Sequence, residues 1–236
     1  MITVQIEKIQ PLQHNLSKME IQKQIKELLD TLPDHVSLVA VSKTKPNQDL
    51  EAAYQAGQRI FGENKIQEMT QKWETLPKDI EWHMIGHVQT NKVKYMAPYV
   101  TLIHGVDRYK LLKEINKQAA KNNRIIDCLL QVNIAEEETK FGFNRTELEE
   151  VVLDLKANPL PNVRVTGLMG MATFTENKDQ IRTEFKNLKN TSDWLQKHIQ
   201  DAKICSTGMS GDYELAIEEG STMIRVGSKI FGSRNY

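Results

Sequence analysis

KICSTGMSGDYELAIEEGSTMIRVGSKIFG, residues 203–232, holds the same local pattern twice. A β-rich run (KICSTG, 203–208) enters a glycine-rich loop, and a short helical pattern over Asp212–Glu219 follows until Gly220 stops it. The second run (TMIRVG, 222–227) passes through Gly227-Ser228 into a short segment, Lys229–Gly232. Around Arg225 the run is apolar without alternation, as expected of a parallel strand covered on both faces.

The same unit recurs upstream. Its β-rich runs are SLVAVSK (37–43), RIFGE (59–63), EWHMIG (81–86), VTLIHGV (100–106), IIDCLLQVNI (125–134) and VRVTGLMGMA (163–172). Helical patterns lie between them. Asp49–Ala56 puts Leu50, Ala53 and Tyr54 on one face before Gly57, and Asn64–Trp73 offers Ile66, Met69 and Trp73. Asp107 reads as the N-cap of a helix carrying Leu111, Leu112 and Ile115; Asn144 with Glu147 reads as a capping box ahead of Leu148, Val151 and Val152. Eight units between residues 37 and 232 average roughly 24 residues, enough for a strand, a helix and two loops. A doubly wound open sheet is the rival, but no G-x-G-x-x-G follows the first run. The expectation is an α/β fold: one (β/α)8 TIM barrel over residues 37–232, in a single domain 1–236. Residues 1–33 form an extra N-terminal helical extension, interrupted at Pro11 and closed by Pro33.

Composition narrows the function. The 236 residues carry 31 Lys+Arg against 31 Asp+Glu, which argues against a strongly basic nucleic-acid binder. Cys128 and Cys205 lie far apart in apolar runs, as small core residues do in cytosolic proteins. No signal peptide opens the chain and no run approaches the ~18 apolar residues of a membrane span. The expectation is a cytoplasmic protein with neither nucleic acid nor membrane as partner, so the Asn-x-Ser/Thr matches at Asn15, Asn144 and Asn190 carry no weight.

In a barrel, function gathers where strands end. Lys43 shares strand parity with Val39 and Val41, and beside Lys45 it suits a Schiff-base amine of lowered pKa. Two lysines that merely snorkel at a strand end are the commoner case. Arg225, in a doubly buried strand, demands a partner: a carboxylate such as Glu63 or Glu81, or a ligand ring or anion. Thr207-Gly208-Met209-Ser210-Gly211 and Gly227-Ser228 follow the seventh and eighth runs, the usual phosphate position of this architecture. Ordinary turn glycines and cap serines are the alternative there. Asn64 and His83 end the second and third strands within reach of a ligand. His83 and His87 are four apart but on a strand, which disfavours a zinc pair. Gly208-Met209-Ser210-Gly211-Asp212 lacks the closing glycine of a nucleophile elbow. Glu136-Glu137-Glu138 reads as a solvated loop.

Taken together, AVSKTKP (40–46), FGENKIQE (61–68), EWHMIGHVQTNK (81–92), QVNIAEEETKFGF (131–143), GLMGMA (167–172) and STGMSGDYELAIEEGSTMIRVGSKIFG (206–232) resemble the YggS/PROSC family of pyridoxal 5′-phosphate (PLP) homeostasis proteins. That family is similar to the N-terminal barrel of alanine racemase, a fold-type III PLP fold. The resemblance implies PLP as cofactor, held as a covalent aldimine on Lys43. Met209, Ser210, Gly227 and Ser228 would hold its phosphate, Arg225 would approach the pyridine nitrogen, and Asn64 and His83 would lie around the ring. Ser228 stands where threonine is frequent, Lys229 where a small residue is usual, and Gly170-Met171-Ala172 differs slightly from the family wording. A cation at the pyridine nitrogen makes PLP a poor electron sink, and the chain ends at Tyr236, with no room for the racemase's second domain. The implied function is therefore intracellular PLP (vitamin B6) homeostasis without robust catalysis. Other B6 vitamers would be ligands and PLP-dependent apo-enzymes recipients. A low-activity PLP-dependent amino-acid racemase is the alternative, and a class I aldolase-type lyase a more distant one.

Overall fold

The computed structural model describes residues 17–135 and 141–232. The first part of the N-terminal helical pattern, Pro11, Asn15, Glu136–Glu138 and Tyr236 lie outside them. Within them, α1 (Lys18–Thr31) starts at a capping box in which Ser17 accepts from the Glu20 amide and the Glu20 carboxylate accepts from Ser17 N–H. Ile21, Ile25 and Leu28, spaced along one face, bury that face in the core.

Eight parallel strands close on themselves in chain order: β1 (Ser37–Val41), β2 (Ile60–Glu63), β3 (Glu81–Met84), β4 (Leu102–Val106), β5 (Ile126–Gln131), β6 (Val163–Met169), β7 (Ile204–Ser206) and β8 (Met223–Val226). β1 pairs with both β2 and β8, which completes the barrel. Each strand lies inside one of the eight β-rich runs. The helix after each strand is, in turn, α2 (Asn47–Gln55), α3 (Ile66–Thr75), α4 (Val93–Met96), α5 (Tyr109–Lys121), α6 (Arg145–Ala157), α7 (Lys178–His198), α8 (Tyr213–Glu218) and α9 (Ser228–Phe231). The Asn144–Glu147 capping box forms as the sequence suggests. The helix after β4 begins one residue later than expected: Arg108 occupies the N-cap, and the Asp107 carboxylate is engaged by Arg108 and His87 instead. Between β3 and β4 a 3-10 turn (Thr90–Lys92) runs into the single turn of α4.

Strand alternation divides the core in two. Phe61, Trp82, Met84 and Cys128 face the helices, while Val39, Leu102, Leu129, Met169 and Met223 fill the barrel interior. Polar side chains also point inward: His83, His104, Ser206 and Arg225, each at most 4% exposed, and Gln131 at the end of β5, 5% exposed. Cys128 and Cys205 are free and buried, and burial pushes both thiols up, Cys205 to about 12. Among the described residues no helix is long and apolar enough to cross a membrane.

Candidate functional site

The C-terminal strand ends open into a cavity of about 530 Å³. Lys43, Asn64, Met209, Ser210, Arg225, Gly227 and Ser228 all line it. These are seven of the eight residues singled out from sequence. His83 does not: it points inward two positions before Ile85, which does line the cavity, and so lies one layer below it.

Lys43 follows β1 in a loop clamped on both sides. Before it, the Ser42 hydroxyl donates to Glu63 Oε1 at 2.6 Å, and the Ser42 carbonyl accepts from Lys72 Nζ at 2.8 Å. After it, the Thr44 amide donates to Glu68 Oε1 at 2.6 Å, and Thr44 takes a left-handed φ of 66°. Lys72 joins these clamps, reaching Glu63 at 2.8 Å and Glu68 at 2.7 Å from a nearly buried position. Burial pushes the Glu63 carboxyl above its ordinary value, and Lys72 only partly offsets this. Lys45 also lines the cavity, where its ammonium donates to the Phe231 carbonyl at 2.7 Å and ties the loop to α9.

Arg225 pairs with neither Glu63 nor Glu81. Glu63 is taken by Ser42 and Lys72, and Glu81 sits on the exposed end of β3. The guanidinium instead donates to the Ser206 carbonyl at 2.9 Å, the Ser206 hydroxyl at 2.7 Å and the Gly170 carbonyl at 3.3 Å. Desolvation lowers its pKa to about 10, so it keeps its charge at neutral pH. Beneath it the polar chain continues: Ser206 Oγ lies 3.2 Å from His104 Nδ1, and His104 Nε2 lies 3.1 Å from His83 Nδ1. Burial holds both histidines neutral, His83 down to about 3.

The loops after β7 and β8 meet where the Gly227 amide donates to the Ser210 hydroxyl at 3.1 Å. Asp212 fastens the first loop by accepting from the Met209 amide at 2.5 Å. Gly208 takes a left-handed φ of +95°, and a Cβ there would stand 2.6 Å from that of Ala216, so both backbone and space call for glycine. One side of the cavity thus presents hydroxyls, glycines and a fixed cation. The other side, from β3 to β6, is richer in apolar side chains, with Ile85, Phe141, Met171 and Phe174 beside His87 and Gln131. Sequence reasoning missed Gln131 and His87 on the lining and His104 beneath it. Gln131 was visible in principle, as the one polar residue at inward parity closing the run Leu129-Leu130-Gln131.

The arrangement suits a flat, anionic ligand with a carbonyl. It offers an amine to its carbon, hydroxyls and amide-rich loops to its anionic group, and a permanent cation to a lone pair.

Comparison with known proteins agrees with this chemistry. A family model described as alanine racemase, N-terminal domain, matches residues 16–235. The pyridoxal phosphate homeostasis protein of Aquifex aeolicus is 45% identical over 204 residues, covering 84% of this chain and 87% of that protein. The solved structure of PipY from Synechococcus elongatus with PLP bound has a TM-score of 0.81 at 32% identity, over 90% of this chain and 100% of that one. Alanine racemase from E. faecalis matches with a TM-score of 0.70 at 15% identity, over 93% of this chain and 59% of its own, a likeness of fold.

Proposed function

Because this chain belongs to the alanine racemase N-terminal-domain family, we propose that it binds PLP at the mouth of its barrel and serves PLP homeostasis in the cytoplasm. The observation that carries this reading is the meeting of Lys43, Arg225, Ser210 and Ser228 in one cavity. When bound, PLP supplies an aldehyde carbon able to form a reversible C=N bond with an amine. Lys43 is the amine, and the Ser42 and Thr44 clamps limit where it can reach. Ser210 and Ser228 hold the phosphate, with Met209 and Gly227 contributing backbone. Asn64 lines the ring's surroundings. His83, a layer lower, acts through His104 and not by contact.

Arg225 favours a carrier over a racemase. A guanidinium that remains charged opposes protonation of the pyridine nitrogen beside it, which weakens the ring as an acceptor of carbanion electrons. Reversible binding is untouched by that loss, whereas chemistry at an amino-acid α-carbon is disfavoured by it. Other B6 vitamers with a phosphate fit the same cradle, and PLP-dependent apo-enzymes are the recipients.

Borohydride reduction of the purified protein followed by peptide mass spectrometry tests the assignment. Pyridoxyl is expected on Lys43, and Lys43→Ala is expected to abolish it. Label elsewhere, or undiminished label in the variant, would overturn the role of Lys43. Transfer of PLP to an apo-enzyme without exchange of an amino acid's α-hydrogen identifies a carrier; Lys43-dependent exchange identifies the racemase.

A further inference from the structure

Past the end of β3, His87 Nδ1 lies 2.9 Å from Asp107 Oδ2, just beyond β4. The Asp107 side chain is 5% exposed, and its other oxygen accepts from the Arg108 guanidinium. Arg108 is itself held by the Val88 carbonyl at 2.8 Å and the Thr90 hydroxyl at 3.1 Å. On its face the imidazole stacks against Phe141, with ring centroids 4.3 Å apart. The backbone of Phe141 is fixed in turn by Gln131 Nε2 at 3.0 Å. A half-exposed imidazole is therefore oriented on one edge by a buried carboxylate and on one face by an aromatic ring. A carboxylate oxygen accepts, so Nδ1 carries the proton, and in the neutral form of the ring Nε2 keeps its lone pair. His87 lines the same cavity as Lys43, and nothing in the binding scheme above uses it.

We propose that His87, oriented by Asp107, is the proton shuttle for exchanging the Lys43 imine with the amine of a free apolar amino acid. This rests on the PLP-binding reading and adds to it a catalytic residue and a substrate class. In the exchange, the nitrogen of the incoming neutral amine attacks the carbon held by Lys43 Nζ and forms a C–N bond; the C–Nζ bond then breaks. With both imines counted in their protonated form, the attacking nitrogen sheds one proton and Nζ gains one. His87 Nε2 takes the first and returns it to Nζ, so protons and electrons balance without an oxidant or reductant. The side of the mouth richer in apolar side chains, with Ile85, Met171 and Phe174 beside Phe141, is where an apolar side chain would lie.

The test mixes PLP-loaded protein with L-leucine and follows the loss of borohydride-trappable label on Lys43. His87→Gln is expected to slow exchange on the order of 100-fold, the span usual for a positioned acid–base group. Return of PLP from its leucine imine to the freed Lys43 should slow by the same factor, because a shuttle leaves the equilibrium where it was. Added imidazole should restore part of the rate to His87→Gln. Asp107→Asn should slow exchange less, and should add nothing on top of His87→Gln. A His87→Gln rate within about twofold of wild type, or a loss that imidazole leaves untouched, would overturn the shuttle. So would His87-dependent exchange of the leucine α-hydrogen with D2O, which would make His87 a racemisation base. If the wild-type protein takes no label at all, the binding reading itself fails, a result distinct from any of these.

Discussion

Arg225 can only donate, and that one-way chemistry orders the groups beneath it. The Ser206 hydroxyl accepts from Arg225 at 2.7 Å, so its own proton goes to His104 Nδ1 at 3.2 Å. His104 must then carry its proton on Nε2 and donate to His83 Nδ1 at 3.1 Å. Ser206 is the hinge of this relay, completely buried and bonded in both directions. Ser206→Ala leaves the guanidinium with its carbonyl partners and leaves the lone pair of His104 Nδ1 unpaired. The expected loss of stability is about 1–3 kcal/mol by urea titration. PLP should still bind, but its absorbance titration should shift as Arg225 gains freedom at the ring. An unchanged titration would show that Ser206 does not position Arg225. The need for a partner at Arg225 was legible in the sequence, because a guanidinium stood in an apolar run. Its identity was not: Ser206 lies on β7 and Gly170 just past β6, and only closure of the barrel brings them to it.

The elements were legible wherever burial alone shapes them. Each strand is covered on both faces, so all eight announced themselves as β-rich runs, and the capping box of α6 was visible as Asn144 and Glu147. Where an element is one turn long, as in α4, the pattern had too few positions to show a face. Asp107 looked like a cap because its carboxylate suits one, but His87 and Arg108 compete for it and win. The spacing between strands has its own control at Gly167, opposite the register shift between β5 and β6. A Cβ at Gly167 would stand 1.9 Å from the Ile204 carbonyl oxygen, a contact that only separation of β6 from β7 relieves. Gly167→Ala should therefore lose on the order of 3 kcal/mol in urea unfolding. Gly211→Ala is the control: nothing lies within 4 Å of its added Cβ, and its unfolding midpoint should stay close to wild type. Equal midpoints for the two variants would mean that β6 and β7 tolerate the intrusion.

At the scale of the whole molecule, the polar groups that support the cavity occupy volume that a barrel normally fills with apolar side chains. His83 and His104 are the part of that arrangement most exposed to pH. Burial depresses the folded-state pKa of both: His83 from 6.5 to about 3, and His104 well below 6.5. Folding then releases protons whenever the unfolded histidines hold them, so stability is greatest above pH 6.5 and falls as the medium is acidified toward 3. Each histidine contributes up to about 1.4 kcal/mol per pH unit in that range. Glu63 works in the opposite sense: burial raises its carboxyl, so the folded state takes up its proton first, and this softens the loss at the acid end. Between pH 7 and pH 5 most unfolded-state carboxyls are still ionised, and the two histidines dominate. The free energy of unfolding of the ligand-free protein should fall over that interval by on the order of 4 kcal/mol. Replacing His83 by Gln removes one of the two titrations and should roughly halve the fall, whatever it does to stability at pH 7. Urea unfolding at each pH gives both slopes. A wild-type slope that His83→Gln leaves intact would mean that His83 is not held neutral in the barrel. The relay from Arg225 could then not end at His83 in the form its hydrogen bonds require.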